Sequence, residues 1–275
     1  IEGHIASASS KMLANYVATY DATITRKLKE AGALFIGRTN MDEFAMGSST
    51  ENSAYGTSKN PLDVTRVPGG SSGGSASAVA GNLALAALGT DTGGSIRQPA
   101  AHCGLVGFKP TYGAVSRNGL IALGSSLDQA GPLAKSVEDA RILFEAMRGT
   151  DPYDATTIRP DTYPKKETPA KFRIGVPRHL LESGLDEDVL AHFNETLATL
   201  EAEGHTVVEV SLPTSPYALP AYYVVMPAEA SANLARFDGI RYGLASRGET
   251  LLEDYVKSRT EGFGPETKRR ILLGT

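Results

Sequence analysis

Hydrophobic and polar positions alternate along this chain at two periods, one helical and one extended. The stretch "YDATITRKLKEAGALFIGRTN" reads as a helix from about Ala22, with Asp21 near its N-cap and Gly32 past its end. Residues 33–37, "ALFIG", then read as a short strand. A helix is expected over 75–80, a buried strand at 83–88 ("LALAAL"), a further helix over 95–103 closed by Gly104, and a strand at 105–108 ("LVGF"). "SVEDARILFEAMRG" offers Ser136 as N-cap, Asp139 at the capping-box position and Gly149 at C′. A polar, proline-bearing stretch over 149–171 reads as a surface connection. Beyond it come a strand ("FRIGVP"), an amphipathic helix over 186–203, another strand ("HTVVEVSL") and a mainly helical tail from Pro216. Helix and strand signals that alternate in this way imply an α/β protein with a parallel or mixed sheet.

Composition narrows the function classes. A net charge of −4, with acids and bases interspersed, argues against a large nucleic-acid surface on this chain. The single cysteine, Cys103, excludes an internal disulfide and a cysteine-rich zinc site, and fits a reducing cytoplasm or organelle matrix. Residues 67–90 carry no charge, but Pro68 and the many glycines and serines there make a membrane span a poor reading. Buried or cleft-lining backbone is the better one. No secretory leader is expected from the opening "IEGHIASASSKML".

Two stretches carry candidate chemistry, "VPGGSSGGSASAVAG" and "GTDTGGSIRQP". A phosphate-binding loop needs a lysine after its last glycine, and no Gly-Lys pair occurs anywhere in the chain. Gly70-Ser71-Ser72-Gly73-Gly74 matches the nucleophile elbow G-x-S-x-G, but "DVTRVPG" is a poor strand to precede one. A flexible Gly/Ser linker is the remaining plain alternative. A third reading joins Ser71 and Ser95 across the intervening helix and strand.

That joined region, "GGSSGGSASAVAGNLALAALGTDTGGSIRQPAAHCGLVGFKPTYG", closely resembles the amidase signature family. The resemblance implies a mixed sheet flanked by helices on both faces, and a Ser-Ser-Lys triad. Ser95 would be the acyl-ester nucleophile and Ser71, after a cis peptide, the proton relay. Backbone N–H groups at Thr92, Gly93 and Gly94, with that of Ser95, would form the oxyanion hole. The chemistry is coherent: a serine hydroxyl attacks only when a base takes its proton, and a desolvated lysine can act as that base. The small residues let a scissile carbonyl approach the backbone. Asp91 and Arg97 read as an ion pair bracing the loop, Cys103 as a small buried residue, and 46–49 as shaping the cleft. Neither Lys59 nor Lys109 matches the family's base, which lies in a segment preceding "IEGHIASASS". This chain is therefore expected to hold Ser71 and Ser95 without the matched lysine, and to be inactive alone.

Beyond the signature, "SSLDQAGPLAKSVEDA", "LPAYYVVMPAEASANLARFDGIRYG" and "EGFGPETKRRILLGT" resemble the branch of the family that serves tRNA-dependent amidotransferases. That implies hydrolysis of glutamine to supply ammonia for amidating misacylated Glu-tRNA(Gln) or Asp-tRNA(Asn). It further implies the B and C subunits of such an amidotransferase as partners, with tRNA, ATP and magnesium held by a partner and no cofactor or metal on this chain. Tyr222 or Tyr223 and Arg269 or Arg270 are candidates to meet glutamine, the alternative being exposed helix positions. An amidase for another small amide remains open. Residues 1–150 are expected to form the signature core and 151–275 a further part of the same domain.

Overall fold

A computed structural model describes residues 1–162 and 167–275. The chain divides into two compact units, Ile1–Thr162 with Tyr222–Thr275, and Tyr163–Ala221. The first contains α1 (Thr23–Glu30), α2 (Gly73–Ala80), β1 (Ala86–Asp91), α3 (Arg97–His102), β2 (Val106–Gly107), β3 (Gln129–Ala134) and α4 (Val137–Met147). The second contains β4 (Arg173–Val176), α5 (Glu187–Ala202) and β5 (Thr206–Glu209). Most of α6 (Ala218–Leu234), all of α7 (Leu251–Gly262) and all of α8 (Pro265–Leu273) belong to the first unit.

Strand order in the first unit is β1-β3-β2, and β3 is antiparallel to both neighbours. The register pairs Ala86 with Ala134 and Asp91 with Gln129. β1 and β2, joined through α3, run in the same direction, as a β-α-β reading expects. β3 enters between them from a long non-helical connection and runs against both, so this sheet holds strands of both directions. Parallel pairing occurs in the second unit, between β4 and β5.

Alternation of side chains along the strands loads both faces of the first sheet. Leu88 and Ala130 pack with Ile24, Leu28 and Met147 of α1 and α4. On the other face Leu133 packs with Ala76 of α2, Ala100 of α3, Ile96 and Cys103. Helices on both faces and the α/β class are therefore as the sequence implied. A third cluster joins Met12, Phe44 and Met46 to Met226 and Leu234 of α6, with Phe263 before α8. Glu43 ties this cluster to α8: its Oε2 accepts the Gly264 N–H at 2.8 Å and the Thr267 hydroxyl at 2.6 Å.

Local expectations held where capping chemistry was explicit. The Ser136 hydroxyl accepts the Asp139 N–H at 3.1 Å to start α4, and Gly149 follows with φ +114°. Asp21 does not cap α1; its carboxylate pairs with Lys29 at 2.6 Å instead. Residues 33–37 form no strand. Leu34 and Ile36 point outward between half-buried Ala33 and Phe35, so the period of two is real. No hydrogen-bonded neighbour completes a strand there among the described residues. Part of the expected connection, 163–166, lies outside those residues.

Candidate active site

The loop after β1 is organised by a buried carboxylate. Asp91 is fully buried and accepts the N–H groups of Gly94 (2.8 Å), Ile96 (3.1 Å) and Arg97 (3.3 Å). The Arg97 guanidinium adds a two-pronged contact through Nε at 3.0 Å and Nη2 at 2.9 Å. Burial is the largest single influence on Asp91 and pushes its carboxyl upward. Arg97 and the N–H donors outweigh it, so the group titrates below the usual aspartate value. The ion pair expected from sequence is present, and it also shapes the turn that carries Ser95, itself 8% exposed.

A second strap crosses beneath this turn. The Gly70–Ser71 peptide is cis. The Ser71 carbonyl accepts the Asp42 N–H at 3.1 Å, and the Ser72 N–H donates to the Ser95 carbonyl at 3.2 Å. A side chain at Gly70 would collide with the Asp42 carboxylate and lie 2.7 Å from Ser49 N, so only glycine fits. Burial raises the Asp42 carboxyl, against the N–H groups of Asn52 and Thr50 that favour its charge. Gln98 Nε2 donates to the Ser48 carbonyl at 2.9 Å, which brings the 46–49 segment against the same turn.

The Ser71 hydroxyl is completely buried and has no hydrogen-bond partner among the described residues. It makes no direct bond to the Ser95 hydroxyl. Ser72, which a nucleophile elbow would use, is occupied structurally: its hydroxyl lies 3.3 Å from both the N–H and the carbonyl of Thr90. The segment before it is not a strand, and α2 follows at once, so neither the elbow nor the flexible linker describes this region.

Among the described residues, the N–H groups of Thr92, Gly93 and Ser95 have no acceptor. Gly94 differs from the expectation. Its N–H is taken by Asp91, because φ +135° turns that peptide back toward the carboxylate. Thr92 donates its hydroxyl to Asp128 at 2.5 Å. Gly93 lies under an aromatic ring: a Cβ there would sit 3.0 Å from Cε2 of Tyr222.

Two residues that the sequence left undecided are separated by the structure. Tyr222 packs over the loop, whereas Tyr223 offers its ring to the Arg270 guanidinium at 5.8 Å. Arg270 is 8% exposed and bonds Glu266 through Nε at 2.6 Å; Arg269 is largely exposed on the outer side of α8. Burial raises the Tyr222 phenol, and nearby Arg270 opposes the rise. Helical periodicity could have sorted these pairs only with the partner surface known.

No lysine completes the constellation among the described residues. Lys59 is exposed, and Lys109 Nζ donates to the Pro110 carbonyl at 2.7 Å. No cluster of three potential metal ligands occurs among the described residues. Cys103 is buried against the Pro68 carbonyl, and burial raises its thiol. No helix among them is long and apolar enough to cross a membrane.

The chain is similar to known proteins along its whole length. Residues 1–275 match the amidase family throughout. The A subunit of glutamyl-tRNA(Gln) amidotransferase from Desulfatibacillum aliphaticivorans is 55% identical, over 100% of this chain and 58% of its own length. The protein of the same name from Roseiflexus castenholzii is 54% identical over 100% and 57%. The chain thus spans less than two thirds of these relatives. The crystal structure of the Thermotoga maritima protein of that name shares 45% identity and a TM-score of 0.80, covering 95% of this chain and 56% of its own. A peptide amidase from Stenotrophomonas maltophilia gives a TM-score of 0.77 at 32% identity, covering 96% and 57%.

Proposed function

Because the chain belongs to the amidase family, we propose that it carries the nucleophile and oxyanion portion of a glutaminase. In this reading Ser95 attacks the side-chain amide carbonyl of glutamine, and its proton passes through Ser71 to a base. The tetrahedral oxyanion is held by the N–H groups of Thr92 and Gly93. Ammonia leaves with the returned proton, and water then hydrolyses the acyl ester on Ser95. Arg270 meets the substrate carboxylate, beside the Tyr222 ring that walls the loop.

The observation that carries the reading is the strap itself. The Gly70–Ser72 segment is tied to the nucleophile turn by the Ser72–Ser95 backbone bond, with an orphaned, buried Ser71 hydroxyl beside it. A buried hydroxyl without a partner costs about 1–3 kcal/mol, and such groups mark places where a fold gives up stability for chemistry. The base is assigned to the family's lysine, outside these residues. Relatives named as the A subunit of glutamyl-tRNA(Gln) amidotransferase support glutamine as the donor. By the same reading the ammonia is consumed on misacylated tRNA by partner subunits, of which the B subunit uses ATP and magnesium and the C subunit joins the assembly. The compartment is the cytoplasm or an organelle matrix.

The test uses the full-length protein with its partner subunits. Ser95→Ala should lower ammonia release from glutamine by at least about a thousandfold, since no acyl-enzyme can form. Ser71→Ala should be nearly as damaging. If Ser95→Ala retained more than about a tenth of wild-type turnover, the nucleophile would be another group. The structural likeness to a peptide amidase supports a second reading, hydrolysis of another small amide. Faster turnover of a C-terminal peptide amide than of glutamine would favour it.

A further inference from the structure

Asp128 is buried at the edge of this site, and the glutaminase reaction gives it no direct part. It is 8% exposed and directly precedes β3. Its two oxygens have separate duties. Oδ2 accepts the N–H groups of Leu123 (2.8 Å) and Gly124 (3.1 Å), which closes the turn before it. Oδ1 accepts the Thr92 hydroxyl at 2.5 Å. The turn is satisfied by one oxygen alone, so the bond to Thr92 serves something else.

That something is the freedom of the loop. Thr92 is followed by two glycines, and glycine pairs leave peptide planes free to rotate. Asp91 pins the far side through Gly94, Ile96 and Arg97. On the near side the Thr92 side chain is held by Asp128. The Thr92–Gly93 peptide lies between these two anchors, and its N–H has no acceptor among the described residues. The 123–128 turn is itself fastened to α6. Ser126 donates through its N–H to Glu229 at 2.9 Å, and Asn233 donates to the Leu123 carbonyl at 3.0 Å. The helix that supplies Tyr222 and the loop that carries Ser95 thus share one brace.

We propose that Asp128 is a positioning residue that acts through the Thr92 hydroxyl to hold the Gly93 N–H toward the oxyanion. The proposal rests on the glutaminase reading above. An oxyanion donor helps because it is oriented before charge develops, so a loosened peptide should weaken the transition state and leave ground-state binding almost untouched. Burial raises the Asp128 carboxyl, against the Thr92 hydroxyl and the turn amides. A carboxyl kept there despite that penalty is a further sign of purpose.

The experiment is a double-mutant cycle in the full-length protein with its partners, reading kcat and KM for glutamine and the melting temperature. Thr92→Val keeps the shape and removes only the Oδ1 contact, leaving the Leu123–Gly124 turn intact. It should lower kcat about 10- to 100-fold with KM within about threefold, while melting shifts little. Thr92→Ser should restore kcat to within a few fold. Asp128→Asn added to Thr92→Val should cost little more, because residues acting as one unit are non-additive. Wild-type kcat in Thr92→Val, a loss confined to KM, failure of serine to rescue, or multiplying effects in the double variant would each overturn the proposal. The two readings fail separately. Glutamine turnover insensitive to Ser95→Ala removes the glutaminase, whereas Ser95-dependent turnover that ignores Thr92→Val removes only the brace.

Discussion

Asp91 shows how one side chain can set the geometry of a whole turn. It is the last residue of β1, and its carboxylate accepts the N–H groups of Gly94, Ile96 and Arg97 as well as the Arg97 guanidinium. Arg97 is half exposed, so solvent screens the ion pair, and the backbone donors hold the carboxylate alongside it. Asp91→Asn should lower stability near neutral pH by about 1–3 kcal/mol, read as a shift in urea midpoint. The pH dependence has a definite sign. Asp91 titrates below its unfolded value in the folded chain, so its contribution is complete above about pH 4 and disappears as pH falls through the folded value. The difference between wild type and Asp91→Asn should therefore shrink in acid. A constant difference from about pH 7 down to about pH 3 would contradict this. Asp42 and Asp128 have the opposite sign, being raised by burial, so each adds stability as it becomes protonated.

Single elements here depend on their ends as much as on their faces. α4 starts at a hydroxyl that accepts the Asp139 N–H and stops before a glycine in the left-handed region. Ser136→Ala should cost about 1 kcal/mol, visible as a lower melting temperature. Because Ser136 touches neither serine of the site, Ser95-dependent turnover below the transition should not change. A drop in kcat without a drop in stability would mean that α4 bears on the site directly. α3 begins two residues later than the sequence suggested, since Ser95 and Ile96 are held in the turn by Asp91 and the Ser72–Ser95 bond.

For the whole molecule, the burial of both sheet faces contrasts with apolar side chains left in solvent. Leu34, Ile36, Leu83 and Leu85 are 89%, 74%, 74% and 94% exposed. Leu34 and Ile36 alternate with half-buried neighbours along a segment without regular structure, and Leu83 and Leu85 lie in the bends that precede β1. Apolar side chains so exposed drive association. The 275-residue chain should show concentration-dependent association by sedimentation velocity, reduced by Leu83→Lys with Leu85→Lys. A monomer at all concentrations in wild type would refute that role for these leucines.

Sequence alone indicated most of the helices and the brace between Asp91 and Arg97, because caps, helical spacing and a six-residue separation are local signals. The candidate pair Ser71 and Ser95 came instead from the resemblance of the surrounding glycine- and serine-rich stretches to the amidase signature family. Sequence could not determine sheet order, because β3 reaches its place between β1 and β2 through a connection with no regular element to reveal its direction. Nor could it show that 33–37 lacks a strand partner among the described residues, since a strand is a property of two segments. The choice between Tyr222 and Tyr223 and the bond of Asp128 to Thr92 were equally out of its reach, because the partners Gly93 and Thr92 are distant in sequence. Only tertiary packing decides which of several polar groups meet, because hydrogen bonds and burial depend on position in space, whereas local propensity depends on neighbours along the chain.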